Sequence, residues 1–297
     1  MNAFINSLKG TLKNGSSLTK LLYLNVGVFV VLKLSLVILL LFNVDTSNWM
    51  TYIEMPAAWN TLWHRPWSII TYMFLHLDLF HVLFNMLCLY WFGKLFLKYG
   101  HEEQLVGLYL LGGLGGALLY FVAYNSFPYF ASQVNQSYLL GASASIMAII
   151  LAVATKSPNY TIRLLLIGDI RMKYFAGITV LISVLSVAGE NAGGEFAHLG
   201  GALVGFLYVY LLNKATDLTS PLNRMIDWFV NLFKHQPSMR VTKSSKRKAT
   251  KSDADYNQAK VKKDAELDKI LDKIKRSGYD SLTAAEKQRL FEQSQSL

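Results

Sequence analysis

The chain has 297 residues, of which 53% are hydrophobic and 16% charged, and a formal net charge of +10. Soluble domains carry about 25% charged residues, and here the stretch from Leu105 to Lys156 has no Lys, Arg, Asp or Glu before its last residue. That excludes a water-soluble surface over most of the chain and predicts an all-α, polytopic membrane protein whose backbone polar groups are satisfied inside helices.

In chain order, residues 1–19 make a basic segment, predicted to be cytoplasmic or to lie at the membrane interface. No small-residue cleavage site follows the first apolar run, which reads as a retained span and not a signal peptide. A membrane domain over residues 20–213 then contains six apolar segments, near Leu21–Val44, Leu79–Leu97, Leu105–Tyr124, Leu139–Ala154, Tyr174–Ala188 and Ala197–Leu212. Lys33, in the middle of the first, is expected to face the bundle interior or to find a partner. Cys88 is the one cysteine, so no internal disulfide forms, and its place in an apolar helix points to packing.

Lys and Arg concentrate in alternate connections: the N-terminal segment, the turn with Lys94 and Lys98, and the turn with Lys156, Arg163, Arg171 and Lys173. Between them, residues 45–65 hold only Arg65, and residues 125–138 and 189–196 hold no Lys or Arg. The positive-inside bias predicts both termini in the cytoplasm.

Residues 214–252 change character. Ser220 and Pro221 read as N-cap and first residue of a helix. Leu222, Met225, Ile226, Phe229, Leu232 and Phe233 give that helix an apolar face suited to the cytoplasmic membrane surface. Lys234 to Lys251 holds seven Lys or Arg and no acid, which reads either as a tether to anionic lipid or as a solvated linker. Residues 253–297 are predicted to form a small helical cytoplasmic tail. Its charged helix runs from Asp253 to Arg276 and is ended by Gly278, and a Thr283–Glu286 capping box opens a last short helix. Ile270, Leu271, Ile274, Leu282, Leu290 and Phe291 are candidates for a small core there. These basic segments account for most of the positive charge, and nucleic-acid binding is not needed to explain it.

Polar groups inside spans are costly and are functional candidates by default. His81 and Asn85 in the second segment, Ser143 in the fourth and His198 in the sixth stand out. All three segments run from outside to inside, and the four residues lie near the starts of their spans, hence at one depth in the outer half of the bundle. Ser143 precedes Lys156 by about a dozen helical residues, or ~18 Å. Against a ~30 Å hydrocarbon core, that puts it roughly 10 Å below the outer boundary. Its helix is then too short to span, which is tolerated where protein surrounds it and a water-filled cavity opens onto it. A hydrolase in a membrane needs such a cavity.

Gly201 and Gly205 form a small-xxx-small stripe, and Ala144, Ala148 and Ala152 form a complementary small face. Packing those faces brings Ser143 and His198 within reach as nucleophile and general base. His81 and Asn85 are four apart on one helical face and read as oxyanion donors beside the Ser143 backbone N–H. The plain alternatives are a small residue at a helix crossing for Ser143, a core histidine for His198, and an inter-helix packing pair for His81 and Asn85. Gly112 to Gly116 reads as tight helix packing only. The outer carboxylates Asp45, Glu54, Asp78, Glu190 and Glu195 are read as lacking a helical spacing to His198, which leaves a Ser–His dyad. No HExxH, Walker or dinucleotide motif occurs, and no metal or other cofactor is expected.

Three motifs, in this order and on these spans, carry a resemblance. FLHLDLFHVLFNMLCLYWFG (Phe74 to Gly93) is similar to an HxxxxHxxxN second helix, LLGASAS (Leu139 to Ser145) to a GxSx nucleophile motif, and FAHLGGALVG (Phe196 to Gly205) to an AHxxGxxxG sixth helix. Over residues 20–212 the chain resembles the rhomboid intramembrane proteases, as a bacterial-type six-helix core with a cytoplasmic C-terminal extension. The resemblance implies a serine endopeptidase with nucleophile Ser143, base His198, an oxyanion site from His81, Asn85 and the Ser143 amide, and support from His76. It also implies a lateral opening that admits transmembrane segments of single-pass proteins, with membrane lipids as the other partner. Three departures stand out: Ala144 for the usual Gly, Met147 where many members carry a Tyr, and Trp67–Ser68 for a Trp–Arg pair. A catalytically inactive relative that binds and steers transmembrane helices is the alternative, and a small transporter or channel a more distant one. With no organelle-targeting segment seen, a bacterial inner membrane is the expected location.

Overall fold

A computed structural model of the chain describes residues 10, 14–46, 48–164, 168–233 and 253–294. Among the described residues, six helices form the membrane bundle: α1 (Ser17–Leu41), α2 (Leu79–Phe96), α3 (Glu102–Ser126), α4 (Ser143–Lys156), α5 (Met172–Ser186) and α6 (Ala192–Leu212). Helices α1, α2, α3 and α6 are long and apolar enough to cross a membrane, and the fold is that of an all-α polytopic membrane protein. The 14 residues of α4 reach only ~21 Å, so this helix depends on its neighbours for a non-aqueous, non-lipid environment.

Local chemistry sets the helix starts. The Ser16 hydroxyl accepts the Thr19 N–H at 3.3 Å, and the Asp78 carboxylate accepts the His81 N–H at 2.7 Å, both as N-caps. At α3 the Gln104 side-chain oxygen Oε1 accepts the His101 N–H at 3.0 Å, while Glu102 and Glu103 complement the positive end of the helix.

Helix α4 is the centre of the bundle, with α3 and α6 packed most extensively against it and each other. Small residues allow this. A methyl group on Gly201 would overlap the Ala144 carbonyl oxygen, and one on Gly205 the Ala148 carbonyl oxygen. The stripe and the small face expected from the sequence meet here. Helix α1 is peripheral and buries only Leu18, Leu21 and Asn25, the last bonded by the Tyr109 hydroxyl of α3 at 3.3 Å. Lys33 is half-buried. Helix α5 buries only Met172, Ala176 and Ser183.

Two small antiparallel pairs are additions to the helical reading. Strand β1 (Met55–Pro56) pairs with β2 (Tyr138–Leu139), Met55 opposite Leu139. Leu139 therefore is strand and not the start of the fourth helix, because Gly141, at φ +121°, turns the chain before Ser143. Strands β3 (Thr161–Leu164) and β4 (Gly168–Arg171) form a hairpin in the basic connection between α4 and α5. Exposed Thr161, Arg163, Asp169 and Arg171 alternate there with half-buried Ile162, Leu164 and Ile170, the period of a one-sided ribbon.

Helix α7 (Ser220–Phe233) opens one residue earlier than expected. Asp217 organises the turn: one carboxylate oxygen accepts the Thr219 N–H and hydroxyl at 2.8 and 2.7 Å, the other the Gln104 side-chain N–H at 2.8 Å. The basic run from Lys234 to Lys251 lies outside the described residues. The described residues up to 233 form one compact unit and those from 253 another. In the second unit, α8 (Asp253–Ser277) ends at Gly278, whose φ is +75°. The capping box of α9 (Ala284–Ser294) is present, with Glu286 accepting the Thr283 N–H at 2.8 Å and Thr283 accepting the Glu286 N–H at 3.4 Å. Ile270 and Leu282 are buried and Ile274 and Leu290 half-buried, whereas Leu271 and Phe291 are exposed, so the small core is narrower than the apolar positions suggest.

Candidate active site

Ser143 is the first residue of α4 and is delivered by a braced segment. The Gly141 N–H donates to the Tyr72 carbonyl at 2.9 Å and the Ala57 N–H to the Ser137 carbonyl at 3.1 Å, while the Tyr72 hydroxyl bonds the Gly113 carbonyl of α3 at 2.6 Å. Gly141 is required twice over. Its positive φ disfavours a side chain, and a Cβ there would sit 3.3 Å from His81 Nε2 and 3.7 Å from Ser143 Oγ. His81 and Ser143 thus flank the same glycine. The Ser143 N–H stands at the helix N-terminus, where amides have no intrahelical acceptor and the dipole is positive.

His198 Nε2 lies 2.8 Å from Ser143 Oγ across 55 positions of sequence. The close contact of Gly201 and Gly205 with α4 is what brings the two helices near enough. On the far side of the ring, His198 Nδ1 is 3.2 Å from Glu195 Oε2 and 3.4 Å from Ser183 Oγ. With Nε2 accepting from the serine hydroxyl, Nδ1 carries the proton and donates to Glu195. The expectation that no outer carboxylate has a helical spacing to His198 is therefore wrong: Glu195 precedes it by three residues, on the same face of α6. Reading the sixth helix from Ala197 placed Glu195 in a loop, whereas α6 begins at Ala192. Ser183 comes from α5, and nothing in the sequence points to it.

Ser143, His198, His81 and Asn85 all line one cavity of about 770 Å³. Ile146, Met147 and Ile150 of α4 give it apolar lining, and the charged residues lining it are Asp78, Glu190 and Glu195, all acidic. His76 stands behind the site, buried in the segment ahead of α2, with its ring edge-on to His81 at 5.1 Å between centroids. Burial, and then the neighbouring His81, push its imidazole down to about 4.

The departures have structural accounts. The Ala144 methyl packs towards α3 where Gly116 leaves space, since a Cβ on Gly116 would lie 2.6 Å from it. Arg65 organises the outer segment: it donates to the Thr51 carbonyl at 2.9 Å and sits 4.1 Å over the Tyr52 ring. Trp67 donates to the Tyr52 carbonyl at 2.8 Å. Among the described residues, no three His, Cys, Asp or Glu side chains gather to hold a metal ion.

Residues 64–215 match the Rhomboid domain family, and residues 250–296 match a family of unknown function, DUF6576. The chain is 33% identical over 140 residues to "Presenilin-associated rhomboid-like protein A, mitochondrial" of Danio rerio, covering 46% of this chain and 35% of that protein. It is 28% identical over 189 residues to "RHOMBOID-like protein 12, mitochondrial" of Arabidopsis thaliana, covering 61% and 53%. To "RHOMBOID-like protein 1" of Arabidopsis thaliana it is 31% identical over 160 residues, covering 50% and 36%. The chain thus spans between about a third and a half of the length of these relatives. The mitochondrial names of two of them lend no support to the bacterial type, or to the bacterial inner membrane, expected from the sequence.

Proposed function

This chain belongs to the rhomboid family, and from that premise we propose that it is an intramembrane serine endopeptidase cutting transmembrane segments of single-pass membrane proteins. The observation that carries the reading is the 2.8 Å approach of Ser143 Oγ to His198 Nε2 at the wall of a cavity in a membrane bundle.

In this mechanism His198 takes the Ser143 proton as the hydroxyl oxygen attacks the substrate carbonyl. Charge develops on the carbonyl oxygen, beside the free Ser143 N–H and the positive end of α4. Side-chain donors from His81 and Asn85, which line the same cavity, complete an oxyanion site. His198 then returns the proton to the leaving amine, and water repeats the sequence on the acyl-enzyme. His76, neutral at physiological pH, supports the His81 ring by packing against its edge.

Substrate enters laterally between α2 and α5. Phe84 and Ile182 line the cavity from these two helices, and both side chains are more than half exposed. Further along, the same helices touch through the stacked rings of Phe92 and Phe175, which places the entry route at the level of the site. The chain is a multi-pass membrane protein with, in this reading, both termini on the side of the basic connections.

Cleavage of a tagged single-pass reporter in liposomes tests the proposal. Wild type is expected to cut, and Ser143→Ala and His198→Ala, folded as judged by thermal unfolding, are expected not to. Persistent cleavage by Ser143→Ala removes the site assignment, and binding without cleavage by wild type favours a helix-steering protein instead.

A further inference from the structure

We propose that Glu195 is a positioning residue for His198, so that the working unit is a Ser143–His198–Glu195 chain and not a dyad. This deepens the reading above and rests on it. Three observations carry it. Glu195 Oε2 is 3.2 Å from His198 Nδ1, and the two side chains are only 15% and 22% exposed. Ser143 occupies the opposite ring nitrogen at 2.8 Å, so the contacts to both nitrogens are specified. Glu195 also lines the same cavity as the nucleophile.

The other polar group at Nδ1 does not do the same work. Ser183 belongs to α5, which buries three of its fifteen residues and forms the wall past which a substrate helix enters. Displacing α5 carries the Ser183 hydroxyl away from the imidazole. Glu195 stays, because it and His198 share a helix one turn apart, and α6 is held to α4 by the Gly201 and Gly205 contacts. A carboxylate at Nδ1 keeps the proton on that nitrogen, leaves Nε2 free to accept from Ser143, and stabilises the imidazolium formed as the serine attacks. Its effect is smaller than that of a fully buried aspartate, since water reaches part of both side chains.

The test measures kcat, KM and the pH dependence of reporter cleavage by the full chain in liposomes. Wild type, Glu195→Gln, Glu195→Ala, Ser183→Ala and Ser143→Ala are compared, each with its thermal unfolding midpoint. Glu195→Ala is expected to lower kcat by about 100-fold, less than the ~10⁴ of a buried triad aspartate, with KM within about twofold. Glu195→Gln removes the charge and can turn its amide N–H toward Nδ1, favouring the tautomer with the proton on Nε2, and is expected to lose at least as much as Glu195→Ala. In both variants the acid limb of the pH–rate profile moves to lower pH, a shift that a merely structural loss would not produce. Glu195→Ala with wild-type kcat and pH profile overturns the inference, and so does a loss that only follows the fraction of folded protein. In those cases an inactive Ser143→Ala leaves the serine-protease reading standing. Wild type that never cleaves, or an active Ser143→Ala, overturns both.

Discussion

Gly201 lies so close to the carbonyl oxygen of Ala144 that no side chain fits between them. The first residue is three positions after His198 and the second is next to Ser143, so this backbone contact sets the distance between the two reacting groups. Gly201→Ala forces α4 and α6 apart, and overpacking of this kind costs about 1–3 kcal/mol. A displacement of about 1 Å at the site lowers activity by about 100-fold. Gly177→Ala on α5 is the control, because nothing stands within 4 Å of a Cβ there. Reporter cleavage and unfolding midpoints of the two variants check the pair, and equal effects would refute the account.

The oxyanion assignment separates from packing by kinetics. His81→Ala and Asn85→Ala are each expected to lower kcat by about 100-fold or more with little change in KM, because donors aimed at the oxyanion act in the transition state. Asn85→Asp, which replaces a donor by a carboxylate, is expected to lose at least as much. If these variants mainly lower the unfolding midpoint and keep kcat, His81 and Asn85 are a packing pair.

His76 gives the bundle a pH dependence with a definite sign. Its imidazole is pushed down to about 4 by burial first and by His81 second, whereas an unfolded histidine titrates near ~6.5. The unfolded chain therefore binds the proton first as pH falls. The stabilisation is complete above pH ~6.5, is lost progressively between ~6.5 and about 4, and is constant below that, amounting to about 3 kcal/mol in all. Unfolding midpoints of wild type and His76→Gln between pH 7.5 and 4 measure it, the variant having the flatter curve. Parallel curves would show that another group controls this range.

Helix α7 is expected to lie in the membrane interface. Met225, Trp228 and Leu232 are exposed on it, while Asn223 ties its first turns to the Glu103 carbonyl at the start of α3 at 3.1 Å. That start is where a spanning helix meets the headgroups. In vesicles, lipids brominated near the carbonyl region are expected to quench a fluorescence component that Trp228→Phe removes. Quenching of that component by aqueous acrylamide alone would put the helix in water.

Much of this architecture is local and was open to reading from composition and spacing. Long charge-free runs demand helices in a bilayer, positions 143 and 198 stand out because polar groups are expensive there, and a GxxxG stripe announces a close crossing. The Glu195 contact is also local, one helical turn from His198, and is missed only when α6 is started five residues too late at Ala197. Asn25 marks the limit of the rule that polar groups in spans are functional, since it serves to bond α1 to Tyr109. Other features required the assembled chain. The approach of Ser183 to His198 joins two different helices 15 positions apart, and the pairing of Met55 with Leu139 that holds the segment before Ser143 joins two distant parts of the chain. No periodicity encodes such relations, because they follow from how closely whole helices pack, and in this bundle that closeness is decided by where side chains are absent.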